Sequence, residues 1–224
     1  MPIFTVEGVV GAGKTSFLNA LQQTTFVKPH IIVLEPVDEW MNLRLDGEDQ
    51  PSIFEKFYHD KERYGFMFQL YALYTRIKQL MTIQANNPDA IILCERSYLS
   101  DKYIFAQLLK DMKLLNNEEY HVYQLWHELS VSISPKFAGV IYLNTDPSIC
   151  ISRILQRQRK GEEKISFDYI NNLHRLHEQL ATNVDLPVCI IDGNIHSKSE
   201  DYQSKVIQKV VDFCNIRAEP VSRE

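Results

Sequence analysis

Residues 8–15 read Gly-Val-Val-Gly-Ala-Gly-Lys-Thr, a full match to the phosphate-binding pattern G-x-x-x-x-G-K-S/T. Gly8, Gly11 and Gly13, with Ala12 between them, let backbone N–H groups turn inward on an anion. A helix opening at Lys14 would add the partial positive charge of its N-terminus. Lys14 can then reach the outer phosphates of a nucleotide, and the Thr15 hydroxyl, beside Ser16, can meet Mg²⁺. Three further groups carry chemistry: Glu35, the triplet Glu95-Arg96-Ser97, and an arginine run with Arg153, Arg157 and Arg159. Arginines beside such a loop can close over a nucleotide and neutralise a transferring phosphoryl group.

The elements that must position these residues are legible as alternation. Five apolar runs read as buried strands: Ile3–Val6, Ile31–Leu34, Ala90–Cys94, Gly139–Leu143 and Val188–Ile191. Helical patterns separate them, which predicts an α/β fold with a parallel sheet and helices on both faces. Ligands of such sheets bind at the carboxyl ends of the strands. The residues to inspect are therefore the loop at 8–15, Glu35, Glu95-Arg96-Ser97, Asn144-Thr145-Asp146 and Asp192-Gly193-Asn194. A long helix is expected over about 60–84, apolar around most of its circumference from Tyr64 to Met81, and so buried on several sides. Gln69, Ala72 and Arg76 form one polar stripe on it, with Tyr58 and Glu62 extending toward the same face. Buried polar groups need partners, from the protein or from a polar ligand. A later helix over about 146–159 ends in the arginine run, where Arg153 and Arg157 share a face and Gly161 offers a bend.

Bulk properties narrow the function. The 224 residues, 45% hydrophobic, suit a folded α/β chain, taken as one domain over 1–224 with a lid at about 153–165 and a tail at about 215–224. A formal net charge of −5 argues against broad nucleic-acid binding. No apolar run approaches transmembrane length, and with the first strand opening at Ile3 no leader is expected within these residues. Cys94, Cys150, Cys189 and Cys214 form no C-x-x-C pair, so reduced thiols and a cytoplasmic setting are expected.

A phosphate-binding loop serves switches, motors and kinases alike. A guanine-reading Asn-Lys-x-Asp is missing, since Asn144-Thr145-Asp146-Pro147 lacks the lysine. A motor would want an apolar strand ending in Asp, whereas the third strand runs into Cys94-Glu95-Arg96-Ser97. Phosphorylation of a small molecule fits better, because it needs a base, a cation and a closed pocket. The markers Glu7-Gly8, Glu35-Pro36-Val37 with Trp40, Phe68-Gln69, Glu95-Arg96-Ser97 with Asp101, and the Arg-x-Arg lid followed by Glu162 stand in order from Ile3 to about Phe213. In these the chain resembles the deoxynucleoside kinase family, which contains the deoxycytidine, deoxyguanosine and insect multisubstrate kinases.

The resemblance implies a three-layer P-loop kinase fold with a five-stranded sheet and an Arg-rich lid. It implies ATP with Mg²⁺, a deoxynucleoside acceptor and a homodimer formed through the long helix and a second one near 118–132, where Tyr123 and Trp126 stand. Glu35 is then the base toward the 5′-hydroxyl, Arg96 the cation at the 5′-oxygen, and Glu95 the acidic partner of Mg²⁺ with Thr15. Gln69 would read the base edge, with Trp40 and Phe105 against its faces. Tyr58 and Glu162 would hold the sugar, and Arg153, Arg157 and Arg159 the phosphates. Ala72, Arg76 and Asp101 separate family members. A buried Arg76–Asp101 pair would crowd the thymine methyl and favour deoxyadenosine, deoxyguanosine or deoxycytidine.

The chain also departs from the family pattern. Thr15-Ser16 replaces Ser-Thr, Val9-Val10 replaces Asn-Ile, Lys160-Gly161 replaces Ser-Glu or Asn-Glu, and His196-Ser197 stands where an Asp-Phe pair often meets the donor adenine. The rival readings are a nucleoside monophosphate kinase of thymidylate type and a non-catalytic nucleotide-binding regulator.

Overall fold

The computed structural model describes residues 2–45, 47–195 and 202–218. Five strands, β1 (Ile3–Glu7), β2 (His30–Val33), β3 (Ile91–Glu95), β4 (Gly139–Asn144) and β5 (Val188–Asp192), form one parallel sheet in the order β2-β3-β1-β4-β5. Each lies within one residue of its expected run at either end. The central strands β1 and β3 are buried throughout, as a parallel sheet covered on both faces requires.

The helices are α1 (Lys14–Leu21), α2 (Val37–Asn42), α3 (Ile53–His59), α4 (Lys61–Asn86), α5 (Tyr98–Ser100), α6 (Gln107–Asp111), α7 (Asn117–Ile133), α8 (Pro147–Arg157), α9 (Phe167–Asn183) and α10 (Gln208–Ala218). Helices α5 and α6 are joined by a π-helical turn, Asp101–Ala106, and a second π-helical stretch, Tyr202–Ile207, leads into α10. Strand side chains alternate between two cores. Phe4 and Leu93 pack with Phe17 of α1, Ile154 of α8, Leu173 of α9 and Val210 of α10, whereas Ile3 and Ile92 pack with Leu73 and Ile77 of α4 and Tyr123 of α7. A third, aromatic cluster joins Trp40 of α2, Phe54, Phe57 and Tyr58 of α3 and Phe68 of α4.

Several expectations are corrected. The helix expected over 146–159 is α8 and stops at Arg157, because Gln158 turns left-handed at φ 51°. The long helix α4 starts at Lys61, where the Asp60 side chain accepts from the Arg63 N–H, and runs two residues past Gln84, to Asn86. It is not buried all round: Met67, Tyr74 and Met81 are exposed. Glu62, in the first turn of the helix, is also exposed and does not border the cavity that Gln69, Ala72 and Arg76 line. Tyr123 lies fully inside the core of the chain, so of the two aromatics expected at an interface only Trp126 faces outward. His196-Ser197 and the chain beyond 218 lie outside the described residues.

Candidate active site

Strand β1 feeds the loop at 8–15, which turns on glycine geometry. Gly11 has φ 82°, and a Cβ there would stand 2.5 Å from the Cys150 carbonyl oxygen. Only glycine lets the loop lie this close to α8. Lys14 opens α1, with its buried ammonium donating to the Val9 carbonyl at 3.2 Å and lying 3.8 Å from Glu95 Oε1. Burial, then the nearby Arg96 charge, lowers its pKa to about 8, against the pull of Glu95 and Glu35. Thr15 Oγ1 donates to Glu95 Oε2 at 2.9 Å, so the loop hydroxyl and the carboxylate at the end of β3 face the same point.

Two cavities meet at this loop. The first, about 210 Å³, is lined by Lys14, Glu35 and Arg96 together with all eight residues expected to hold a substrate: Trp40, Tyr58, Gln69, Ala72, Arg76, Asp101, Phe105 and Glu162. The second, about 560 Å³, is lined by Gly11, Ala12, Gly13, Ser16, Arg153 and Gly193, among others. Gly11, Lys14, Thr15, Glu95, Arg157 and Arg159 border both. Of the expected phosphate-binding residues only Gly8 borders neither; a Cβ on it would meet the Leu143 carbonyl oxygen at 2.9 Å, so its place is in seating the loop on β4.

At the centre of the first cavity Glu35 Oε1 accepts from Arg76 at 3.1 Å and lies 3.2 Å from Arg96 Nε. Burial alone would raise this carboxyl, but Arg96, then Arg76 and Lys14, more than offset it and hold the pKa at about 2. The second oxygen, Oε2, carries no hydrogen bond among the described residues. Arg76 also donates through Nε to Asp101 Oδ2 at 3.0 Å and through Nη1 to the Glu95 carbonyl at 3.2 Å. The ion pair inferred between Arg76 and Asp101 is therefore present, and it extends to Glu35. Arg96 adopts φ 65°, a left-handed conformation costly for a bulky residue, and its guanidinium lies over the Phe105 ring, 4.7 Å from the centroid.

The far wall is aromatic. The Trp40 indole N–H donates to Thr75 Oγ1 at 2.9 Å, and its ring meets Phe68 edge-on at 5.4 Å. Gln69 is only 2% exposed and its amide has no protein partner among the described residues, so a donor and an acceptor stand free inside the cavity. The π-helical turn carries both Asp101 and Phe105 to the cavity wall.

The arginine segment divides its tasks. Arg153 does not hang free beside Arg157: it donates to the Ala12 carbonyl at 2.9 Å and the Gly193 carbonyl at 3.1 Å, tying the phosphate-binding loop to the end of β5. Arg157 and Arg159 pair with the buried Glu162 at 2.6 and 3.5 Å. Lys160 reaches Glu55 of α3 at 2.7 Å, which fastens the segment against the aromatic wall.

Some site residues escaped sequence reasoning. Phe54 and Phe57 line the first cavity from α3. Their signal was the pattern Ser52-x-x-Glu55 ahead of an apolar run, which forms a reciprocal capping box. Glu7, buried under the loop, accepts from Thr5 Oγ1 at 2.8 Å and Ser97 Oγ at 2.6 Å, while its Oε2 has no partner. His177 of α9 stands 3.5 Å from Arg96, and nothing in its surrounding helical pattern sets it apart from core. Asn144 and Asp192, flagged as strand-end residues, border neither cavity; Thr145 instead donates to the Ala12 carbonyl at 3.2 Å.

Among the described residues no helix is long and apolar enough to cross a membrane. Residues 4–215 match the family model described as deoxynucleoside kinase. The chain is 32% identical over 241 residues to human deoxycytidine kinase, covering 94% of this chain and 90% of that protein. It is 33% identical over 218 residues to a probable deoxycytidine kinase of fowlpox virus, covering 94% and 87%. To the mitochondrial deoxyguanosine kinase of Xenopus laevis it is 30% identical over 193 residues, covering 80% and 72%.

Proposed function

The chain belongs to the deoxynucleoside kinase family, and from that premise we propose that it moves the γ-phosphoryl group of ATP to the 5′-hydroxyl of deoxycytidine, deoxyguanosine or deoxyadenosine in preference to thymidine. The observation that carries this reading is that Gln69, Glu35 and Lys14 border a single cavity continuous with the phosphate-binding loop. The base lies against Gln69, whose amide offers a donor and an acceptor to its edge, between Trp40 and Phe105. Arg76 and Asp101 fix the polarity beside it and leave little room for a methyl group. Tyr58 and Glu162 take the sugar.

The 5′-hydroxyl points at Glu35. With Oε1 held by Arg76 and Arg96, Oε2 is free to take the proton. A carboxylate of such low pKa is a weak base toward a resting alcohol. It suffices here because the hydroxyl turns strongly acidic only as its oxygen bonds to phosphorus. The oxygen–phosphorus bond forms, the bond to the bridging oxygen of ADP breaks, and the proton rests on Glu35. Lys14, Arg157 and Arg159 hold the triphosphate, Arg153 fixes the loop beneath it, and Arg96 faces the transferring group. Thr15 Oγ1 and Glu95 are oxygen donors suited to Mg²⁺ shared with phosphates. When bound, that ion neutralises phosphate charge.

Supporting a nucleoside acceptor over a nucleoside monophosphate, the matching family model and the relatives named above are nucleoside kinases. We also propose one domain over 1–224, a homodimer, and a reducing, cytoplasmic setting; the four free, buried thiols support the last. The test is steady-state ADP production with each of the four deoxynucleosides and their monophosphates. Turnover with deoxycytidine or a purine deoxynucleoside is expected to lead. Thymidine as best substrate would refute the base preference, and a monophosphate as best acceptor would refute the kinase assignment at this level.

A further inference from the structure

Arg96 must do its work from an awkward start. Its backbone is left-handed, and its side chain leaves the end of β3 to cross the Phe105 ring and meet Glu35. Such a residue keeps its aim only if its surroundings over-determine it. On the side away from Glu35 stands His177, one of the most deeply buried polar residues of the chain at 1% exposure. Its ring is held on three sides. Tyr142 of β4 lies parallel to it at 6.2 Å, Phe105 meets it edge-on at 6.5 Å, and Nδ1 lies 2.7 Å from the Leu173 carbonyl.

That carbonyl can only accept, so Nδ1 carries the hydrogen. Burial, reinforced by the Arg96 charge, pushes the imidazole pKa well below its usual value, so the ring is neutral. In a neutral ring with Nδ1 protonated, Nε2 is left as an acceptor, and it faces Arg96 Nη1 at 3.5 Å. A histidine in the other tautomer, or protonated, would present a second donor to a cation.

We propose that His177 is a positioning residue for phosphoryl transfer: through Nε2 it accepts from Arg96 and sets the angle at which that guanidinium meets Glu35 and the transferring group. It touches neither nucleoside nor nucleotide, since it borders neither cavity. The role rests on the kinase reading above. Its loss therefore acts on the chemical step and leaves substrate binding alone.

The experiment assays the full-length wild-type chain first, then His177→Leu and His177→Gln, whose amide oxygen can replace Nε2 as acceptor. For His177→Leu, kcat is expected to fall about tenfold or more, with KM for deoxycytidine and ATP within about threefold. His177→Gln should recover most of that loss. In an Arg96→Lys background the effect of His177→Leu should largely vanish, because the two residues act as one unit. Thermal midpoints of all variants separate this pattern from simple destabilisation. His177→Leu turning over within about twofold of wild type overturns the role, as does a Gln variant no better than Leu at equal midpoints. Nitrogen NMR of the wild-type ring tests the same geometry without any substitution: Nε2 must be the unprotonated nitrogen, and a protonated Nε2 overturns the proposal. A wild-type chain inert toward all deoxynucleosides would instead refute the kinase reading, and the His177 role with it.

Discussion

Glu35 sits between two guanidinium groups, and that placement fixes how the site responds to pH. A carboxyl held at about 2 is ionised across the whole working range, so Glu35 contributes no acid limb above about pH 4. Lys14 behaves oppositely. Its pKa is lowered to about 8, so the cation proposed to attract triphosphate is present below that pH and lost above it. The kcat/KM for ATP in the free enzyme is expected to fall on the alkaline side with an apparent pKa near 8. A Lys14→Arg variant should lose that limb, whatever its absolute rate, because a guanidinium does not titrate there. Removing the proposed base itself is the sharper test. Glu35→Gln keeps the shape and is expected to lower kcat about a hundredfold or more while the protein melts as a folded chain. Near-normal turnover would take the base role away from Glu35.

At the scale of elements, α3 carries much of the aromatic wall, and its N-terminus is its weak point. Ser52 accepts from the Glu55 N–H while Glu55 accepts from Ser52, and the same carboxylate receives Lys160 from the arginine segment. Ser52→Ala is expected to cost about 1 kcal/mol of stability, seen as a lower thermal midpoint, and to raise the nucleoside KM through Phe54, Phe57 and Tyr58. The strands were readable to within one residue because a buried parallel sheet demands unbroken apolar runs. The phosphate-binding loop was readable because only glycine tolerates its geometry. By contrast, α2 and α3 are short, six and seven residues, too short for a helical period to stand out, and their aromatic residues line the cavity wall. The π-helical turn at Asp101–Ala106 has no local signature. It widens the helix just where two side chains, Asp101 and Phe105, must reach one cavity. The end of α8 was misread by two residues because left-handed Gln158 is not a glycine, the usual sign of a helix stop.

For the whole molecule, one exposed surface stands out. Met67, Tyr74 and Met81 recur every seven residues along α4, and Val122, Leu125, Trp126, Leu129 and Ile133 continue the apolar face on α7, with Trp126 and Leu129 each 55% exposed. A patch of this kind marks an association surface. Sedimentation of the wild-type chain is expected to give a dimer, and Trp126→Glu with Leu129→Glu a monomer that keeps its fold; a monomeric wild type would refute the proposed assembly. The aromatic excess of α4 was visible in sequence, but which side chains face inward depended on the rotation of the helix, and so Tyr123 was misplaced. A last feature spans the molecule's recognition and reaction ends. The Arg76 guanidinium touches Asp101, the Glu95 carbonyl and Glu35 at once. On the proposed roles, laboratory evolution toward a broader nucleoside diet would therefore meet epistasis at this codon: a smaller residue would admit bulkier bases yet strip a counter-ion from the proposed proton acceptor, so generalist descendants should arise slow and regain speed only through a compensating change elsewhere.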